Sequence, residues 1–200
     1  MRNKNQVNFW LYILLTSSII VITLLNIRKY SLLSLGIALL TLVFMSLPFL
    51  IENKLGLKIP RDFVVIFLVF LYLAMFLGTA NHFYDQFWWW DNMSHSFSGV
   101  VFADLGFLIA RYLTQEIRKN IATIGNAKRL LVSYKVLVVL FAFCFAVTSG
   151  AIWEIYEFSM DKTFGTLYQG IGIDDTMIDI ILDTLGALAF SIAVYRFRKN

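Results

Sequence analysis

The stretch that decides the fold is Tyr134–Phe158, YKVLVVLFAFCFAVTSGAIWEIYEF. Between Lys135 and Glu154 it holds eighteen consecutive uncharged residues, most of them apolar. A helix rises ~1.5 Å per residue, so such a run covers roughly 27 Å, close to the ~30 Å hydrocarbon core of a bilayer. Five other segments read the same way, over about Phe9–Leu25, Ser31–Ile51, Phe63–Ala80, Asp91–Leu113 and Thr176–Tyr195. The expected fold is therefore all-α, a six-transmembrane-helix bundle in which residues 1–200 form one integral membrane domain. The longest polar connection, Thr114 to Ser133, leaves no room for a soluble domain.

Composition agrees with that reading. Hydrophobic residues make up 59% and charged residues 15% of the 200, against about 45–50% and about 25% in soluble domains. Mean hydropathy is +0.72. The single cysteine, Cys144, excludes an internal disulfide and a cysteine-based zinc finger. Cys144 itself reads as a small packing residue in mid-span. The first span follows Arg2 and Lys4 as a signal peptide would, but its apolar run exceeds the usual ~7–15 residues. No A-x-A-like cleavage site precedes Arg28, so a retained helix is expected.

Charge placement sets the orientation. Fourteen of the seventeen Lys and Arg fall on the side of the two termini and of the second-to-third and fourth-to-fifth connections. Only Arg28, Lys29 and Lys162 fall on the other. Cytoplasmic loops carry such an excess, so both termini should be cytoplasmic. The net charge of +4 is thus read as loop asymmetry, and nucleic acid is not an expected partner. Membrane lipids are, and a homo-oligomer is left open.

The acids lie on the opposite side. Nine of the thirteen, together with His82 and His95, sit toward the outer surface. Several fall inside apolar spans, where an ionisable group costs a few kcal/mol and turns to a protein interior or a water-filled cavity. Asp91 and His95 stand four apart on one helical face, which Ser98 continues. Glu154 and Glu157 stand three apart near the outer end of the fifth span, with Asp161 beyond. Asp175, Asp179 and Asp183 stand four apart on the sixth. Lipid cannot solvate these stripes, so they should converge. Asp104, nine residues past His95 and about half a turn round, belongs elsewhere.

Four chemistries fit such a cluster. Imidazole with carboxylates suits a divalent metal such as Zn, Mn or Fe, with His95, Asp91, Glu154 and Asp179 as ligands and Glu157 or Asp183 as general base. A metal-activated water would then attack an ester or phosphoester of a lipid or lipid-linked substrate. Intramembrane acids also mark proton- or cation-coupled transport. A nucleophile system from Asp91, His95 and Ser98 is disfavoured, because adjacent turns of one helix rarely give triad geometry. A purely structural network is the fourth reading. It returns only ~0.6 kcal/mol per bond and leaves like charges short of counterions.

Other residues carry weaker signals. His82 reads as a solvated loop residue, and Trp88, Trp89, Trp90 and Trp153 read as interface anchors. Gly99 and Gly186 suit close helix approach. Gly150, Gly165, Gly170 and Gly172 would allow irregular backbone near the outer end. The D-x-x-x-H-x-x-x-G of Asp91, His95 and Gly99 is faintly matched by the D-x-x-x-D-x-x-G of Asp179, Asp183 and Gly186.

Three stretches carry a family resemblance: Asn81–Gly99 (NHFYDQFWWWDNMSHSFSG), Trp153–Glu157 (WEIYE), and Gln169–Asp179 (QGIGIDDTMID) followed by Asp183–Gly186 (DTLG). Together they resemble the YjdF-like bacterial inner-membrane proteins over roughly residues 81–190. The resemblance implies a small polytopic membrane protein without a defined activity. It implies Asp91, His95, Glu154, Glu157, Asp175, Asp179 and Asp183 as the shared polar set. The Asp174–Asp175 pair departs from the D-x-W-D-T run of that family. The closing D-x-x-x-D-x-x-G is also loosely similar to the VanZ-like membrane proteins.

Overall fold

The computed structural model describes residues 4–123, 127–166, 168–170 and 172–197. Arg2, Arg198 and Lys199 of the charge count, and Ile171 of the quoted Gln169–Asp179 stretch, lie outside the described residues, as does the side chain of Lys4.

Every element among the described residues is helical. The order is α1 (Lys4–Leu25), α2 (Leu32–Leu55), α3 (Arg61–Leu71, continuing as wider π-helical turns over Tyr72–Ala80), α4 (Phe83–Gln86), α5 (Trp90–Leu113), α6 (Gln115–Ala122), α7 (Lys128–Phe164) and α8 (Ile173–Phe197). Among the described residues, five stretches are long and apolar enough to cross a membrane: 32–54, 61–80, 90–113, 128–164 and 173–197. The apolar part of α1, Phe9–Leu25, is shorter.

Local signals set the ends. The Ser31 hydroxyl accepts from the Ser34 N–H at 3.0 Å and starts α2, and Gly56 ends it in the left-handed region at φ 64°. Gly165, at φ 65°, ends α7. Only glycine takes that conformation without strain. The 37 residues of α7 span roughly 55 Å, well beyond a hydrocarbon core. The apolar run alone therefore underestimates this helix at both ends.

The chain packs as two compact units, Met1–Ser94 and His95–Asn200. In the first, Ile19, Met45, Leu68, Leu71 and Phe76 form a buried core. Its polar links are Ser18 to the Tyr72 hydroxyl at 3.1 Å and the Tyr30 hydroxyl donating to Asn81 at 2.6 Å. His82 is exposed and bonds Asp85 at 3.1 Å, as a loop residue would. Trp88 is exposed, but Trp90 is buried against Phe83, so the three tryptophans do not act alike as surface anchors.

In the second unit α5, α7 and α8 pack together. The boundary between the units falls inside the unbroken helix α5. Gly99 meets Asp183 and Ala187, and the Phe107 and Phe190 rings lie 6.3 Å apart, so α5 and α8 run parallel. Lys135 lies over the Tyr195 ring at 5.5 Å and Gly150 meets Asp183, so α7 runs antiparallel to α8. Thr114 bonds Tyr134 at 2.9 Å and Gly106 meets Ala142, so α7 is antiparallel to α5 as well. Cys144 is exposed on α7 rather than packed inside, because Ala142 and Ala146 occupy the inward face.

The α5–α8 contact depends on glycine from both sides. A Cβ at Gly99 would overlap the Asp183 carbonyl, and a Cβ at Gly186 would overlap the Ser96 carbonyl. These are backbone atoms, which cannot yield as a side-chain tip would. Gly99→Ala and Gly186→Ala are each expected to lower stability by ~1–3 kcal/mol in thermal unfolding in detergent, the usual cost of overpacking. Gly36 has open space around the same position. Gly36→Ala should instead raise stability by about 0.5–1 kcal/mol, the helix-propensity gain.

Candidate metal centre

The close α5–α8 approach brings two polar stripes together. The Nδ1 of His95 lies 3.3 Å from Asp183 Oδ2, and its Nε2 lies 3.8 Å from Asp179 Oδ1. All three residues are at least nine-tenths buried, with exposures of 7% for His95, 3% for Asp179 and 2% for Asp183. The Ser98 hydroxyl makes a short hydrogen bond to Asp183 Oδ1 and reaches the His95 carbonyl at 2.9 Å. Its bonds go to these two groups and not to the imidazole, so the serine nucleophile arrangement is not formed.

The imidazole faces a carboxylate at each ring nitrogen, with Asp183 beside Nδ1 and Asp179 beside Nε2. At 3.8 Å the latter pair is too long for a hydrogen bond. It matches two ligands sharing one cation at ~2.0–2.2 Å each. Asp91, one turn before His95 on the same helix, completes a set: one ligand atom each from Asp91, His95 and Asp179 lies within 4.8 Å of the others.

Glu154 is brought toward this cluster by register, but it is not among the three residues whose ligand atoms lie within 4.8 Å of one another. The α5–α7 pairing of Thr114 with Tyr134 and Gly106 with Ala142 places it opposite His95 when continued along both helices. The α7–α8 pairing of Gly150 with Asp183 places it near Asp179, one turn on. It is 4% exposed. Gly150 clears room for Asp183, whose Oδ2 a Cβ there would overlap.

The other expected residues stand apart from this core. Glu157 is half-buried and accepts from the Trp153 indole at 2.9 Å. Asp175 lies against Gly170 in the α7–α8 connection. Asp161 organises that connection by accepting from Thr166 at 2.6 Å and from the N–H groups of Tyr168 and Gln169 at 2.8 and 3.0 Å. Gly165, Gly170 and Gly172 there all have positive φ. Asp104 is buried two to three turns further along α5. Ser98 is the residue whose role the sequence did not give. Its spacing of three from His95 was visible, but its partner is on another helix.

Fold and site define an all-helical membrane protein with a buried histidine–carboxylate cluster. The chain belongs to the family described as "Predicted membrane protein (DUF2238)", which matches residues 10–200. The YjdF-like resemblance fits this family loosely, and the VanZ-like one finds no support in the matches. An uncharacterized protein of Thermotoga maritima is 29% identical over 149 residues, covering 74% of this chain and 70% of that protein. No solved structure matches the chain.

Asp183 beside Nδ1 is expected to hold the ring proton there and leave Nε2 unprotonated. With nitrogen-15 histidine labelling and His82→Gln to remove the second signal, His95 should show a protonated Nδ1 and a bare Nε2. In Asp183→Asn the preference should weaken, with a mixture of tautomers. A doubly protonated His95 near neutral pH would instead indicate an ion-pair network with Asp179 and Asp183.

Proposed function

We propose that this protein binds a divalent cation in the α5–α8 cluster and uses it on an ester or phosphoester of a lipid or lipid-linked substrate. The observation that carries the reading is His95, held through Nδ1 by Asp183 with Nε2 turned toward Asp179 and Asp91. A carboxylate behind a ligating imidazole is the usual way to fix its tautomer and raise its basicity. Burial supports the same reading: Asp179 and Asp183 both lie at least nine-tenths buried beside the one imidazole, and buried carboxylates are held by counter-charges or by metals.

In this proposal His95, Asp91 and Asp179 hold the ion, with Glu154 as a fourth donor. Zn, Mn and Fe suit such a nitrogen–oxygen set. Bound there, the ion would supply Lewis acidity and activate water near neutral pH. Asp183 and Ser98 orient His95, and Glu157, bonded to Trp153 apart from the cluster, is not proposed as the base. The proposed topology has six spans, α1 included, with both termini cytoplasmic and the cluster opening toward the outer head groups of a bacterial plasma membrane. Parallel α5 and α8 agree with it, since α7 between them returns the chain. The rival reading is proton- or cation-coupled transport, favoured by Asp104 at 2% exposure deeper on α5.

Elemental mass spectrometry on detergent-purified protein tests the proposal. Wild type should carry about one equivalent of Zn, Mn or Fe, and His95→Ala and Asp179→Asn should each lose at least about ten-fold in affinity, since removing even a residue that supports a ligand costs ~10–100-fold. Folded wild type that takes up no metal on addition contradicts the metal centre. Liposome flux abolished by Asp104→Asn would then favour transport.

A further inference from the structure

One end of the second unit is strongly basic. Residues 111–135 hold six cations, Arg111, Arg118, Lys119, Lys128, Arg129 and Lys135, against one acid, Glu116. Glu116 is already paired with Lys119 at 2.7 Å. The excess sits on folded helices: the last turn of α5, all of α6 and the first two turns of α7. Among the described helices of eight residues or more, α6 alone is polar on average, yet it is strongly amphipathic. Ile117 and Ile121, four apart, share one of its faces, and Lys119 falls on the opposite one. Ile117 is 55% exposed, and Leu113 and Leu130 on either side of α6 are 69% and 46% exposed. Exposed aliphatic side chains interleaved with cations are the mark of a helix lying in a bilayer surface.

A hydrogen bond sets α6 at that depth. Thr114 Oγ1 lies 2.9 Å from the Tyr134 hydroxyl, so α6 starts level with Lys135, where the charge-free run of α7 begins. Lys128 and Arg129 lie roughly 9–10 Å further out along α7 at ~1.5 Å per residue. The polar layer on each face of a bilayer is ~5–8 Å deep, and the long stems of lysine and arginine reach back into it. Cations and aliphatic side chains thus meet the headgroup layer together. We propose that α6 and the first turn of α7 form a binding surface for anionic phospholipid headgroups, with Arg118, Lys128 and Arg129 as its cations. The inference rests on the chain crossing a membrane and not on the metal centre. Positive charge alone would also attract nucleic acid, but phosphate and sugar offer Leu113, Ile117 and Leu130 no apolar partner, whereas acyl chains do. The α2–α3 connection makes a natural control. It carries Lys54, Lys58 and Arg61, but Glu52 and Asp62 accompany them.

The test uses the full chain in detergent, titrated with phosphatidylglycerol or phosphatidylcholine and followed by native mass spectrometry and by Tm. Wild type should hold phosphatidylglycerol about ten-fold more tightly than phosphatidylcholine, the order expected for a few cations at an anionic surface. That preference should shrink as salt is raised. Replacing Arg118, Lys128 and Arg129 together by Gln should bring the two lipids to parity, with the lipid-free Tm unchanged. If that variant is unstable, Lys128→Gln with Arg129→Gln carries the test, since both side chains are exposed. Lys54→Gln with Lys58→Gln should leave the preference intact. Equal affinity of wild type for the two lipids overturns the proposal. An equal loss in the Lys54 and Lys58 control overturns it too, because the preference is then a general effect of charge. Competition by poly(U) RNA that disappears in the same α6 and α7 variants would assign the surface to nucleic acid instead.

Discussion

Buried carboxylates cannot stay ionised and unpartnered where lipid replaces water. That constraint organises the second unit. Asp179 and Asp183 on α8 can be kept only if another helix brings them a partner, and His95 on α5 is that partner. The two helices must then approach closely, which Gly99 and Gly186 permit from opposite sides. The two glycines and the two polar stripes are therefore one device. Backbone contact sets the depth, and the imidazole bridges at that depth.

Parallel packing gives the device its register. Asp91 and His95 on one helix run alongside Asp179 and Asp183 on the other, so the faint sequence repeat between them has a structural counterpart. Each copy places an acid, a second polar group one turn on, and a small residue that lets the neighbouring backbone in. The antiparallel α7 closes the third side, with Gly150 making room for Asp183 and Glu154 brought toward the cluster by register.

Much of this was legible in the sequence. The apolar runs located five of the long helices to within a few residues at most ends. They failed where apolarity stops before the helix does. Lys128 to Ser133 and Ser159 to Phe164 extend α7 because water-exposed turns still satisfy their own backbone. The short α6 and the π-helical turns of Tyr72–Ala80 leave no hydropathy signature. The first span is shorter than the others, so length alone does not settle its crossing. Spacing by four put Asp91 and His95 on one face of α5 and Asp179 and Asp183 on one face of α8, but it put Asp175 there too, which lies against Gly170 instead. It could not separate Asp183, which bonds His95 and Ser98, from Asp179, which faces the imidazole without bonding distance. That division depends on which ring nitrogen meets which carboxylate, and only the packed geometry supplies it. Glu157 shows the same limit. Its stripe pointed inward, but the nearby Trp153 indole bonds its carboxylate.

The central claim is that His95 and carboxylates of α5 and α8 share one ion. X-ray absorption at the metal edge of zinc-loaded protein tests it most directly. The account predicts one imidazole nitrogen at ~2.0–2.1 Å, carboxylate oxygens at ~2.0–2.2 Å and no sulfur. The imidazole signal should vanish in His95→Ala. A spectrum of oxygen ligands alone, unchanged by that substitution, would contradict it.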